Sequence, residues 1–590
     1  MVNIQIPEIT NEFVSYLAAL SAGRSHVLEL GAEDFTITTR SLTALVNKIN
    51  DDKPGIVILT GNAGHGKTHL CAASLCQSRC NISWSRALEL VQEFGHGAAA
   101  IPELSRETEI YLIKDLTELP IDTARDLLIE AADNKENRLT IICANEGRLR
   151  TVSDQDQSEQ LDSILDALNA SLRLEKASDS FIQIINLNFQ KISSNSSGEV
   201  ESILEQLLNS WTKSDNWTAC NTCPLLKTCA IRNNTRLIDY QNDQSIRPFL
   251  ASVIRLAELI GYQFTIRQLL VAMATVITNG KDCSQVQIEH LEADIQDMRE
   301  DSVFSTLFKS VERHPTNNFF RALEALDPGT NSNNFIDSSI DFVERSESLS
   351  LWWGHLDELL QDPMWQPTTE DWRFMRRIRV TMDHTVSDTV DILGEILQIK
   401  FLQLFQSAVD STTEPDVAND LKRQLFRGLE AIQGIRTDNP NSNRLSIADQ
   451  SFSDPSLGLD GIAIKNTRRD PDGTRLLSSQ LQMREVVIKI EESSDDEFDR
   501  SVNHFANRFS LEPRNFPLKS IPFDYLDFLY VLSAANGLNA NQFFAGQNLR
   551  ILRALDGWAA VSPLTEVTVL TRGKKLQLMW DNNRMTIDHD

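Results

Sequence analysis

One eight-residue stretch limits this chain more than any other. Gly61-Asn62-Ala63-Gly64-His65-Gly66-Lys67-Thr68 fits the spacing G-x-x-x-x-G-K-[ST]. It follows the apolar run GIVILTG and precedes THLCAASLC, so it reads as a turn between a buried strand and a helix. Glycines at these positions let backbone N–H groups curl around a phosphate, while the next helix aims its positive end at the same anion. Lys67 is expected to reach the β and γ phosphates of ATP, and the Thr68 hydroxyl to hold Mg²⁺. By average residue usage a chance match has odds of roughly a few per cent, and the strand–helix setting counts further against chance.

Further apolar runs follow: IYLIKD (110–115), LTIICAN (139–145) and FIQIINLNF (181–189), separated by helical patterns such as RALELVQEF and ARDLLIEAA. Short buried strands alternating with helices predict an α/β unit with a mostly parallel sheet. The expected organisation is a helical lead-in over 1–54, a P-loop ATPase core over 55–195, a helical lid over 196–335, a helical middle region over 336–436 and a C-terminal α+β domain over 437–590. Patterns in FVSYLAAL and LTALVNKI mark the lead-in; SLSLWWGHLDELL and LKRQLFRGLEAI mark the middle region. TDNPNSNRLSIADQSFSDPS (437–456) reads as a loop or linker. Beyond it GIAIKN and REVVIKIE read as strands and 520–535 as a helix. EVTVL-TRGK-KLQLMW reads as a closing hairpin turning at Gly573.

Asp115 ends the second strand, where a carboxylate would hold Mg²⁺ through water; the competing role is a cap on the following turn. Glu118 and Glu146 are rival candidates to orient an attacking water, and neither follows Asp115 directly. Asn145 ends the third strand, where its amide would stand between the phosphates and the metal-bound carboxylate, or else cap a helix. The order of glycine loop, strand with Asp, strand with Asn, one more strand and a helical lid resembles AAA+ and wider additional-strand ATPases over about residues 55–330. The resemblance implies a sensor role for Asn145 and for Arg267 in FTIRQLLVAMA, although Arg267 equally suits a helix surface. It also implies an arginine finger from a neighbouring subunit of a homo-oligomer, with Arg148 and Arg150 as positional candidates.

Within the lid, Cys220, Cys223 and Cys229 give C-x₂-C-x₅-C. Two cysteines two residues apart converge on one metal, and structural zinc takes four ligands, so the set calls for Cys283 or a histidine to complete it. Three idle thiols are the alternative; an iron–sulfur cluster lacks its denser spacing, and Cys143 lies in the sheet.

Together, GNAGHGKTHL, YLIKDL, ANEGRLR and the cysteine segment, with LFKSVERHPTNNFFRALEALDPG after them, resemble the ATPase component of DNA-phosphorothioation-dependent restriction systems (DptF type) and related bacterial anti-phage ATPases. The departure is His65, where related loops are expected to carry Asp. This resemblance implies a defence complex in which ATP turnover drives DNA remodelling, translocation or activation of a partner nuclease. No PD-(D/E)xK or HNH arrangement occurs here, so cleavage would belong to another protein.

Charge bears on the DNA question. The net charge is −27 and the pI about 4.8, so nucleic acid would repel the chain on average unless a local basic face or a partner mediates. The densest basic stretch is Trp372-Arg373-Phe374-Met375-Arg376-Arg377-Ile378-Arg379, read either as a phosphate-binding helix face or as a solvated face with ion pairs. The runner-up function is therefore a nucleotide-gated switch that signals through protein contacts. His65, His69 and His96 do not form a metal-site pattern. No run of 18 apolar residues occurs and the first residues lack a signal-peptide pattern, so no membrane partner and a cytoplasmic location are expected.

Overall fold

A computed structural model describes Thr10, Phe13 and, with short interruptions, residues 37–330. Beyond these it describes Asp337, residues 366–382, 404–405 and 415–433, and, again with interruptions, 445–448, 480–490, 509–537 and 545–589. The chain divides into two compact units: residues up to 398 supply most of the first, and 399–492 with 507–590 most of the second.

The first unit is built on a sheet of β1 (Gly55–Thr60), β2 (Ala99–Ala100), β3 (Glu109–Ile113), β4 (Arg138–Ala144) and β5 (Ile182–Asn186), in the order β2-β3-β4-β1-β5. The last four of that order are mutually parallel, and the two-residue β2 pairs antiparallel at the edge. An α/β fold is thus present, and β2 is a strand the sequence patterns did not reveal.

All six residues of β1 and all seven of β4 are buried, as a strand covered on both faces requires. Alternation sorts their side chains into two cores. Val57, Leu59, Leu139, Ile141 and Cys143 face the helices Arg40–Asn50, Lys67–Gln77 and Trp84–Glu93. Ile56, Ile58, Ile142 and Ala144 face Ile121–Asp133, Glu146–Ser153 and Glu159–Arg173. FIQIINLNF is shorter as a strand than expected: β5 ends at Asn186, whose side chain accepts from Asn188 N–H and turns Leu187–Phe189 into a 3₁₀ helix.

From Ile203 to Ala325 the described elements are helical, as expected, including Ala230–Ile238, Arg247–Leu259, Ile266–Thr278 and Cys283–Glu292. The basic stretch lies in the helix Thr369–Thr381, started by a capping box between Thr368 and Asp371. SLSLWWGHLDELL lies outside the described residues.

In the second unit the helices Pro415–Ile432 and Tyr525–Ala535 cross so closely that a Cβ at Gly428 would overlap the Val531 backbone. Two three-stranded antiparallel sheets and a two-stranded one accompany them. The 437–456 stretch is not all loop: Leu445–Ala448 pairs with Gln480–Met483, its Leu and Ile recurring at strand period. The closing hairpin is present, with Thr571 paired to Lys574, and a third strand, Arg584–His589, extends it. Its turn at Gly573 and the GIAIKN segment lie outside the described residues.

Candidate functional site

The sheet register decides what surrounds the glycine loop. Thr60 pairs with Ala144 on one side and Asn186 on the other, so Gly61 leaves β1 level with Asn145 and Leu187. This is the carboxyl edge of the parallel strands, beside the point where chain order reverses: β4 lies on one side of β1 and β5 on the other. Ligand sites of open α/β sheets form in such crevices.

The loop needs its glycines. Gly64 and Gly66 have φ of +95° and +79°, where a Cβ is disfavoured. A Cβ on Gly64 would also come within 3.1 Å of Arg267 Cβ and 3.2 Å of Thr265 Oγ1. The helix Lys67–Gln77 starts immediately after Gly66, with Leu70 N–H donating to Gly66 C=O at 2.8 Å. Its first N–H groups therefore point back into the loop without intrahelical acceptors.

Lys67 is the hub. Its ammonium donates to Asn145 Oδ1 at 2.7 Å, Gly61 C=O at 2.8 Å and Asn62 C=O at 3.3 Å. Burial lowers its pKa and Arg267 adds to that, while Asp115 is close enough to oppose the shift. Loop cation, strand-end amide, acid and the Arg267 guanidinium thus share one neighbourhood. Thr68, the second residue of the helix, is half-buried beside them.

Asp115 sits two residues beyond β3, and its Oδ1 accepts from Thr117 N–H at 2.8 Å. The carboxylate therefore does cap the following turn, and it does so within electrostatic reach of Lys67. Glu118 lies on that turn, exposed, its N–H donating to Asp115 C=O at 3.3 Å. Glu146 opens the helix after β4, and its carboxylate accepts from Arg150 Nε at 3.0 Å.

Two positional candidates for an arginine finger are committed inside the chain. Arg148 Nε donates to Leu116 C=O at 3.2 Å and its Nη2 to Leu119 C=O. Arg150 binds Glu146 and, through Nη2, Asn169 Oδ1 at 3.1 Å. Both staple local structure, because a helix starting at a strand end carries its early side chains back over the neighbouring turn.

Arg267 is drawn to the loop through its backbone: Arg267 N–H donates to Gly64 C=O at 3.1 Å. It is the second residue of the helix Ile266–Thr278, whose start is set by the Thr265–Gln268 capping box. Asn188 is a contributor that sequence reasoning missed; its Oδ1 accepts from Asn62 N–H at 2.9 Å and tethers the loop to the end of β5. The polar residues in NLNF were the available signal.

His65 is buried, its Nε2 without a hydrogen-bond partner, and burial together with Lys67 lowers its pKa to about 4. His69 packs against Trp84 at a tilt, with centroids 4.9 Å apart, and His96 lies outside the described residues.

The basic helix is not a free phosphate-binding face. Arg377 forks onto Asp327 at 2.9 and 2.5 Å, with both side chains 4% exposed. Arg376 forks onto Asp337 at 2.6 and 3.0 Å, and Arg373 pairs with Glu370 at 2.7 Å. The LDPG segment is thereby explained: Asp327 binds Arg377 and also accepts from Gly329 N–H at 2.8 Å.

Cys220, Cys223 and Cys229 lie together after the helix Ile203–Thr212, all as free thiols. Among the described residues no three His, Cys, Asp or Glu side chains stand as a metal-holding group. That does not weigh against Mg²⁺, which is commonly held by one or two protein oxygens together with phosphate oxygens and water. Thr68 and Asp115 are the residues that would hold it. No described helix is long and apolar enough to cross a membrane.

Comparison of the chain with protein-family models, curated proteins and solved structures returns no match.

Proposed function

We propose that this chain binds Mg-ATP at Gly61–Thr68 and hydrolyses it. The observation that carries the reading is Lys67. One ammonium is held between the carbonyls of Gly61 and Asn62 and the amide of Asn145, with Asp115 and Arg267 within reach of its charge.

In this reading the loop N–H groups and Lys67 bind the β and γ phosphates. Thr68 and Asp115 hold Mg²⁺, which neutralises charge developing on the transferred phosphoryl group. Asn145 orients water against the γ-phosphate. Of the two carboxylates considered for activating that water, Glu118 fits better, since it shares the Asp115 turn while Glu146 faces Arg150. Arg267 joins the lid helix to the loop, so that phosphate at Gly64 and the position of that helix are coupled. The insertion of the Asn145 strand between the glycine-loop strand and the Asp115 strand supports an additional-strand ATPase of AAA+ type.

The larger setting rests on sequence resemblance alone: an ATPase subunit of a bacterial anti-phage or restriction complex, acting on DNA with a separate nuclease. A second reading gains from one observation. Arg373, Arg376 and Arg377 are engaged in ion pairs, and the chain is strongly acidic. Both favour a nucleotide-gated switch that signals through protein contacts.

ATP hydrolysis by the purified protein and by Lys67→Ala, each with and without double-stranded DNA, tests these readings. Lys67-dependent turnover that rises with DNA supports the DNA-coupled ATPase. Lys67-dependent turnover indifferent to DNA supports the switch. Failure to bind ATP would remove both.

A further inference from the structure

The cysteine segment takes no part in the nucleotide chemistry, yet the fold gathers it. Cys223 N–H donates to Cys220 C=O at 3.0 Å, closing both residues into one turn at the end of the 3₁₀ helix Ser214–Thr222. Cys229 N–H donates to Leu225 C=O at 2.8 Å, and Cys229 caps the start of the helix Ala230–Ile238.

The fourth sulfur arrives from a distant part of the chain. Cys283 opens the helix Cys283–Glu292, and its Sγ lies 3.7 Å from Thr10 Oγ1. Phe13, three residues from Thr10, has its ring 6.4 Å from that of Trp217, which itself lies three residues before Cys220. Thr10 and Phe13 are both helical and fully buried. Consistent with this path, Cys283 lies within electrostatic reach of Cys220, Cys223 and Cys229 together. Among the candidates raised by the sequence for the missing ligand, the fold delivers Cys283.

A cation provides the independent observation. Arg232 is half-buried in the first turn of the helix after Cys229. Its Nε has no hydrogen-bond partner, and its guanidinium lies 5.5 Å from the Trp217 ring centroid. Arg236 and Asp239 also lie within electrostatic reach of it. Four thiolates around a divalent ion carry a net charge of −2, which Arg232 and Arg236 would offset.

We propose that Cys220, Cys223, Cys229 and Cys283 bind one Zn²⁺ as a closed, structural tetrathiolate site. Among the described residues no metal-holding group stands preformed, so in this proposal the site closes around the ion as it binds. Each ligating thiol releases its proton to solvent as the metal–sulfur bond forms. Four sulfurs leave no open coordination position, so the ion organises structure and does not activate water. What it organises is the start of Ala230–Ile238. From that helix Asn234 donates to Ile277 C=O at 3.0 Å and Asp301 C=O at 2.8 Å, and accepts from Val303 N–H at 2.9 Å.

The test uses the full chain, purified without added metal or chelator. Elemental analysis is expected to find about one zinc per chain, and Co²⁺ added to the zinc-stripped, reduced protein should produce intense thiolate-to-cobalt bands with tetrahedral d–d absorption. Cys283→Ser should weaken zinc retention against a chelator by roughly tenfold or more, whereas Cys76→Ser should leave it unchanged. If Cys283→Ser does not fold, alkylation and peptide mapping of the unsubstituted protein decides instead: the four cysteines should react only after chelation. A folded protein that lacks zinc, shows no cobalt–thiolate bands and exposes these thiols freely overturns the proposal. So does a disulfide among them, or an iron-cluster absorbance. Full zinc retention by a folded Cys283→Ser overturns the assignment of the fourth ligand.

Discussion

Lys67 Nζ stands 2.7 Å from Asn145 Oδ1, joining the helix that follows the glycine loop to the strand end beside it. The contact follows from register: with Thr60 paired to Ala144, the residue after each strand emerges at the same level. In the proposed reading, an amide that touches the loop cation reports on whatever that cation binds.

The two partners should separate kinetically. Lys67→Ala removes charge-assisted bonds worth ~1.5–3 kcal/mol each and should weaken ATP binding as well as abolish turnover. Asn145→Ala should lower kcat by roughly 10- to 100-fold, about 1.4–2.7 kcal/mol of barrier, with a much smaller change in ATP affinity. Single-turnover hydrolysis alongside equilibrium nucleotide binding measures both. Full kcat in Asn145→Ala would remove its proposed role.

The carboxylates make a second comparison. Asp115→Asn should raise the Mg²⁺ concentration required for turnover, seen in a metal titration of the rate. Glu118→Gln should depress kcat at saturating Mg²⁺. Glu146→Gln breaks only an i,i+4 pair with Arg150, worth about 0.3–0.5 kcal/mol, and should leave the rate near that of the unsubstituted protein. A Glu146→Gln protein as inactive as Asp115→Asn would reverse the assignment.

Arg148 should behave as a staple. Its guanidinium holds the carbonyls of Leu116 and Leu119, so Arg148→Ala is expected to cost about 2 kcal/mol in urea unfolding. Mixing the variant with unsubstituted protein should change turnover only in proportion to dilution. A disproportionate loss would mean that Arg148 acts on a neighbouring subunit.

Arg377 and Asp327 form a buried pair. Removing either partner alone leaves a buried unpaired charge, a loss of about 3–5 kcal/mol, whereas Arg377→Met with Asp327→Leu should recover most of it. A double-mutant cycle in denaturant reads the coupling. Additive losses would contradict the buried pairing.

Acid should weaken the glycine loop through His65. Its folded pKa of about 4 lies below the 6.5 of an unperturbed imidazole, so the unfolded chain takes up the proton first. Stability is complete above about pH 6.5 and falls as pH drops toward 4, by up to about 3 kcal/mol. His65→Asn should flatten that part of the pH profile in urea titrations. An unchanged slope would mean that His65 protonates equally well in the folded chain.

Much of the first unit is legible in local patterns. GIVILT and LTIICA are mostly apolar because β1 and β4 are covered on both faces, IYLI is apolar on a strand nearly as buried, and the glycine spacing marks a loop whose backbone must reach positive φ. β2 escaped because two alanines carry no periodicity. The Leu445–Ala448 strand escaped because Asn, Ser and Asp around it resemble turn chemistry. Arg373, Arg376 and Arg377 illustrate a broader limit: spacing shows a basic face, while their acidic partners lie at Glu370, Asp337 and Asp327, two of them far away in sequence.

By itself, the sequence determined the strand–glycine loop–helix unit and the chemistry its residues carry, because backbone freedom and hydrophobic period act within a few residues. Tertiary structure alone decided the company that unit keeps. Sheet order set β4 beside β1 and brought Asn145 to Lys67, a capped helix carried Arg267 to Gly64, and the turn after β5 delivered Asn188 to Asn62. Those contacts depend on register and close packing between segments distant in the chain, and residue spacing along the chain does not specify them.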